Sequence, residues 1–193
     1  MSFNRDTLRD RLHHAVEPTS QGDEQGATNG GLPAAVLIGL VNRQYGPTIL
    51  LTKRTDHLKD HAGQICFPGG RIEPEDESVE HAALREAFEE IGLLPEKVDI
   101  IKRLNHYDTS TGFRIHPVVG WIEPPFDVKL DAFEVAEVFE LPLDFIIDPA
   151  NHQRQSFIRG EKRRSYYVLP FEGRFIWGAT AGMLVNFSKL LAP

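Results

Sequence analysis

Thiols are almost absent from this sequence. Cys66 is the one cysteine in 193 residues, so no internal disulfide can form, which fits a reducing compartment. Its neighbours are apolar and mark it as a strand thiol rather than a nucleophile. No apolar run approaches the roughly 18 residues that suggest a membrane span. The first residues lack the apolar stretch of a secretory signal. Ser188–Leu190 spells SKL, but three residues follow it, so it is not read as a peroxisomal address; a cytoplasmic location is expected. Positive charge is also scarce, with 21 Lys and Arg against 28 Asp and Glu and a net charge of −7. A general nucleic-acid binder needs clustered cations to meet phosphates. The one dense basic spot, "EKRR" at 161–164, reads as a hairpin turn. Neither nucleic acid nor membrane is expected as a partner.

What remains is a chain with 41% hydrophobic residues, enough for one globular core. Residues 3–16 can form a short helix, and 17–31 are polar and turn-rich, like a linker. We therefore divide the chain into an arm with a flexible linker, residues 1–32, and a domain, 33–193. Strands are expected at Ala34–Val41, Thr48–Arg54, Gln64–Phe67, Val98–Leu104 and Phe113–Ile122, with Pro117 hinting at a sheet edge or bulge. "SFIRG" and "RRSYYVL" suggest a hairpin, and a last helix is expected over Ala179–Leu191. Strands around an internal helix, with another helix at the end, imply an α/β fold: a mixed β-sheet with helices on both faces.

The densest chemistry lies in "FPGGRIEPEDESVEHAALREAFEEIG", Phe67–Gly92. From about Glu77 to Ile91 neither Pro nor Gly interrupts Ala, Leu and Glu, which predicts a helix. At about 100° per residue, Glu90 and Glu89 fall about 40° and 60° to either side of Glu86. Ala83, Leu84, Ala87, Phe88 and Ile91 fill an adjoining apolar arc. Arg85 lies four residues before Glu89 and can pair with it. Two carboxylates at about 4 Å repel by roughly 4 kcal/mol at an effective dielectric near 20. A solvated acidic face is the plain alternative, but a divalent cation with a preference for hard oxygen ligands would neutralise the stripe. Gly69 and Gly70, lacking Cβ atoms, would let the backbone approach a metal or phosphate closely.

The same stretch resembles the Nudix box: Gly, five residues, Glu, seven residues, then Arg-Glu-apolar-any-Glu-Glu-any-Gly-apolar. "REAFEEIGL", Arg85–Leu93, matches the second half. The first half carries one extra residue, so Asp76 and Glu77 both remain candidates for its acidic position. "LLTKRTDHLKDHAGQICFPGG" before the box, and "TGFRIHPVVGWI", "EVAEVFELPL" and "IWGATAGML" after it, resemble the coenzyme A pyrophosphatases of that family. The resemblance runs over about residues 33–192. It implies an α/β/α sandwich, Mg²⁺ or Mn²⁺ as cofactor, and cleavage of coenzyme A or its derivatives to 3′,5′-ADP and 4′-phosphopantetheine. Another nucleoside diphosphate conjugate, or a non-catalytic nucleotide-binding role, is the competing implication. A homodimer is one assembly this leaves open.

The resemblance also supplies roles. Gly70, Glu86, Glu89 and Glu90 would hold metal. Arg85, Glu89, Glu90 and Glu134 would be catalytic, with Glu89, Glu90 and Glu134 all candidates for the general base. Arg54, His61, Gln64 and Gly69 would meet substrate. Lys53, Arg54 and Arg71 are the cations nearest in sequence to the glycine turn and could meet an extra phosphate. Tyr166, Phe175 and Trp177 could stack a base, although such aromatics in strands are usually core.

Overall fold

The computed structural model describes residues 3–18, 21–22, 31–58, 61–159 and 162–192. In chain order the elements are α1 (Arg5–His14), β1 (Gln21–Gly22), β2 (Leu32–Val41), β3 (Thr48–Arg54), β4 (Ile65–Cys66), β5 (Gly69–Arg71) and α2 (Val79–Ile91). Then come β6 (Val98–Arg103), β7 (Tyr107–Asp108), β8 (Phe113–Ile122), β9 (Val135–Pro142) and α3 (Leu143–Ile147). The chain finishes with β10 (Gln153–Arg159), β11 (Lys162–Phe171), β12 (Arg174–Trp177) and α4 (Gly178–Leu191).

Strand β2 organises the main sheet. One edge pairs in parallel with β8 along its whole length, Leu32 opposite Phe113 through Val41 opposite Ile122. The other edge is divided: Ala34–Val36 pair with β5, and Leu40–Val41 pair with β3. Strand β3 then carries β4 and β9, while β6 and β7 continue the sheet beyond β8. Both faces are covered, so β2 reads as a nearly continuous apolar run. Ala35, Leu37 and Val41 join α2 on one side, whereas Val36, Ile38 and Leu40 join α1 and α4 on the other. The result is the expected helix–mixed sheet–helix sandwich. Among the described residues no helix is long and apolar enough to cross a membrane.

Two expectations are revised. Pro117 lies on no edge: β8 pairs with β2 throughout, and on its far side Pro117 falls where pairing passes from β7 to β6. Proline fits there because the Pro117 carbonyl still accepts from the Leu104 N–H, at 2.9 Å, and no donor is required. The hairpin of β10 and β11 is real, but with β12 it forms a separate three-stranded antiparallel sheet. The amino-terminal helix forms within the stretch expected and packs on the domain: Leu8 and Leu12 are fully buried, Arg11 donates to the Leu191 carbonyl, and Lys102 donates to the Leu12 carbonyl. Most of the proposed linker lies outside the described residues; Gln21–Gly22 pair with Tyr107–Asp108. Glu161 of the basic spot also lies outside them, and the expected turn there with it; Lys162 pairs with Arg159 in the ladder of β10 and β11.

Candidate active site

Helix α2 starts at Ser78, whose side chain accepts from the His81 N–H, and stops at Gly92 in the left-handed region (φ 69°). Its buried arc is rotated from the one expected. Ala82, Ala83, Ala87 and Ile91 are buried, whereas Phe88 is 48% exposed. Three alanines, Ala82, Ala83 and Ala87, let the helix approach the sheet closely; a phenyl ring there would hold it off. The rotation takes the glutamates with it. Glu90 is only 4% exposed, and the Glu86 side chain is mostly covered, while Glu89 stays in solvent. The acidic stripe lies partly inside the buried face rather than beside it.

The glycine turn is shaped for these carboxylates. A Cβ on Gly70 would lie 2.5 Å from the Glu86 carboxyl carbon, and one on Gly69 would strike the Ala35 carbonyl and the Val36 backbone. The Gly69 N–H donates to Glu90 Oε2 at 3.4 Å. Thus the backbone of β2 demands glycine at 69, whereas Gly70 leaves the space that the Glu86 carboxylate fills.

Arg85 fastens the outer half of the site. Its Nε and Nη2 donate to the two oxygens of Asp76 at 2.9 and 3.0 Å, Nη1 donates to Glu86 at 3.0 Å and to Glu89 at 2.9 Å, and Nη2 also reaches the Arg71 carbonyl at 3.1 Å. The Asp76 carboxylate is 1% exposed and also accepts from the Glu73 N–H. The Arg85 guanidinium beside it holds the Asp76 pKa down to about 2. Geometry therefore decides which acid pairs with Arg85: Asp76 does, and Glu77 points to solvent. With Asp76 as the partner the spacing from Gly70 is the regular one, and the extra residue falls between Asp76 and Arg85.

The inner half is held differently. Burial above all, then the charge of Glu86, pushes the Glu90 pKa up to about 8, against the pull of Arg54 and the Gly69 N–H. Burial also raises Glu86, with Arg85 opposing. Arg54 stands 3.8 Å from both Glu90 and Glu134, beyond hydrogen-bonding distance, and its Nε is buried without a partner. Beneath them the Cys66 thiol is pushed up to about 11, first by burial and then by Glu90, which makes it a structural thiol.

Of the residues expected at the site, Gly69, Gly70, Arg85, Glu86, Glu89, Glu90, Arg54 and Glu134 form one connected group. His61 and Gln64 bond to each other at 2.8 Å, and no hydrogen bond or ion pair joins them to the glutamates. Lys53 and Arg71 flank the group, with the Arg71 guanidinium 5.8 Å from the centre of the Phe113 ring. Tyr166 and Trp177 meet edge to face at 5.9 Å on the separate sheet, where Phe175 and Trp177 are exposed rather than core. Asp76 was legible only as one of two options, and His81, 3.0 Å from Asp76 Oδ1, carried no signal in the sequence.

Among the described residues no three His, Cys, Asp or Glu side chains converge on a ready cage for an ion. The donor set nevertheless suits a hard divalent cation. The charge of Glu134 raises both Glu86 and Glu90, a glycine backbone makes room at Gly70, and the Arg54 Nε is left orphaned among them.

The NUDIX domain family profile matches residues 31–158. The chain belongs to the Nudix hydrolase family. It is 40% identical over 156 residues to the Nudix hydrolase NudL of Yersinia enterocolitica, whose name marks it as uncharacterised, covering 81% of this chain and 80% of that protein. The NudL of Citrobacter koseri is 42% identical over 160 residues, 82% of each chain. Among solved structures, the Nudix hydrolase RenU of M. smegmatis superposes with a TM-score of 0.51 at 24% identity, over 64% of this chain and 79% of that one, a likeness of fold.

Proposed function

We propose that the protein is a metal-dependent pyrophosphohydrolase that cuts coenzyme A or its derivatives at the pyrophosphate linkage, releasing 3′,5′-ADP and 4′-phosphopantetheine or its acyl form. One observation carries the substrate assignment. Two of the segments that resemble coenzyme A pyrophosphatases, those ending at Gly70 and spanning Thr111–Ile122, meet across β2, where Gly70 and His116 both stand opposite Ala35, beside Glu86. Arg71 and Phe113, at the margins of those segments, are in contact there.

In this reading Glu86 and Glu90, with Glu89 and the Gly70 backbone, hold Mg²⁺ or Mn²⁺. The bound ion polarises phosphoryl oxygens and lowers the pKa of water. Arg85 fixes the carboxylates of Glu86 and Glu89 on one side. Glu89 and Glu134 are the acids open to solvent and able to take a proton from water. His61, Gln64 and the Gly69 backbone line the approach of substrate. The substrate is a small nucleotide conjugate, the location is the cytoplasm, residues 33–193 are the catalytic domain, and a homodimer is compatible with it.

Product-resolved hydrolysis of coenzyme A, dephospho-coenzyme A and ADP-ribose, each with Mg²⁺ and Mn²⁺, tests this. A charge-assisted contact to the 3′-phosphate is worth about 1.5–3 kcal/mol, so kcat/KM for coenzyme A should exceed that for dephospho-coenzyme A by roughly 10- to 150-fold. ADP-ribose preferred by tenfold or more would remove the coenzyme A assignment and leave the metal chemistry standing.

A further inference from the structure

Two arginines face the glutamates, and they are held in opposite ways. Arg85 makes hydrogen bonds from all three of its nitrogens at 2.9–3.1 Å. Arg54 makes none to a carboxylate. Its Nη1 is 3.8 Å from Glu90 Oε1, its Nη2 is 3.8 Å from Glu134 Oε2, and its buried Nε has no partner. A guanidinium carries five directed donors, and one kept for structure would have them filled. The backbone here is firmly fixed: Arg54 N–H donates to the Gln64 carbonyl and Thr55 N–H to the Glu134 carbonyl, both at 2.9 Å. The strand also shifts register between Lys53 and Arg54 opposite β9, which sets Arg54 at the point where the ladder breaks. A rigid root thus carries a long side chain that touches the acids by charge alone.

Charge is what this position supplies. Asp76 and Glu89 are committed to Arg85, and Glu86 shares it. Glu90 and Glu134 are left, with Arg54 as the cation between them. A divalent ion bound by Glu90 would place two more positive charges within a few ångströms of the guanidinium, in a partly buried site where repulsion is strong. Both cations cannot keep that place. The guanidinium's planar fork suits phosphate oxygens bidentately.

We propose that Arg54 is an exchangeable counter-cation: it neutralises Glu90 and Glu134 before metal loading, yields that place to the divalent ion, and turns its freed guanidinium to a phosphate of the substrate. The idea rests on the metal reading given above. It makes one residue responsible both for the order of assembly, metal before substrate, and for a phosphate contact that forms only in the loaded site. Linkage follows: a substrate that captures Arg54 strengthens metal binding, and metal strengthens substrate binding by the same factor.

The experiment is calorimetric titration of Mn²⁺ into the full chain without substrate, for the wild type, Arg54→Ala and Arg54→Lys, with folding of each checked by circular dichroism. Losing the competing cation should tighten Mn²⁺ binding in Arg54→Ala by about 5- to 30-fold, within the usual range of coupling between sites; Arg54→Lys should fall between. In the wild type, Mg²⁺ should shift the NMR resonance of the Arg54 Nε–H. At saturating metal, Arg54→Ala should raise KM for the best substrate at least tenfold, because the phosphate contact is gone. Equal or weaker Mn²⁺ binding by folded Arg54→Ala, with the wild type binding normally, overturns the exchange and leaves the metal site intact. Tighter binding with an unchanged KM overturns the transfer to phosphate. A wild type that binds no divalent ion overturns both the exchange and the metal reading beneath it.

Discussion

The two faces of the central sheet follow different rules. Under α1 and α4 the packing is large and dry, with Leu8, Leu12, Trp121, Leu184 and Phe187 locked together and few polar groups among them. Under α2 it is small and charged: Ala35, Ala82, Ala83 and Ala87 bring helix and sheet close, and Glu86 and Glu90 enter the same layer. The first face contributes stability through area and fit. The second gives up stability, because burying a carboxylate without full hydrogen bonding is costly, and gains a place where a cation is strongly favoured. Dry packing and buried charge are thus separated across a sheet only one residue thick.

Breaking each face in turn sharpens that contrast. Glu90→Gln removes the charge and keeps the shape. If Glu90 holds the metal, several kcal/mol of transition-state stabilisation is lost, so kcat/KM should fall about 100-fold or more, with circular dichroism unchanged. A variant near wild-type activity would remove Glu90 from the site. On the other face, Leu184→Ala leaves a cavity in the dry core and should cost about 2–5 kcal/mol of unfolding free energy in urea. Metal affinity per folded molecule should stay within twofold; a large loss would show that the faces are coupled.

Asp76→Asn should have a smaller effect. The charge-assisted bonds to Arg85 are worth about 1.5–3 kcal/mol, and the variant should lose that much while Glu77→Gln loses little. Equal losses from the two would contradict the pairing described above. The Asp76 pKa is depressed to about 2 from 3.8, so its stabilising contribution is present above the ordinary value and is lost as pH falls toward 2.

The last expected outcome is a slope. Glu90 has a folded pKa of about 8, raised from 4.5. Its protonated form favours the folded state, so that stability is present in full below about 4.5 and is lost as pH rises through about 8. Urea titrations in chelator should show stability declining across this window, and Glu90→Gln should flatten the decline. Saturating Mg²⁺ should also reverse it, by binding the ionised form. An unchanged slope in Glu90→Gln would place the titrating group elsewhere.

Much of this was written along the chain. The acid spacing, the absence of helix breakers from Glu77 to Ile91, and the apolar run of β2 were enough to place the helix, the central strand and the cluster of Arg85, Glu86, Glu89 and Glu90. The aromatic residues were less legible. Phe88 lay in the apolar arc of the helical wheel and Phe175 and Trp177 looked like core, yet all three are exposed. A wheel gives angles between side chains, not the direction in which the sheet lies, and alternation in a strand does not reveal whether its outer face is covered.

Sequence alone determined which groups could do chemistry, because carboxylate, guanidinium and glycine are local properties and helical spacing fixes their mutual angles. Only tertiary structure decided how they are used. It selected Asp76 over Glu77 for Arg85, because a turn with one extra residue can close in either register until packing chooses. It also brought Arg54 on β3 to Glu90 on α2, 36 positions apart in the sequence, and left the two 3.8 Å apart, too far for a hydrogen bond. Burial and distance are properties of the assembled layers, and no spacing along the chain encodes them.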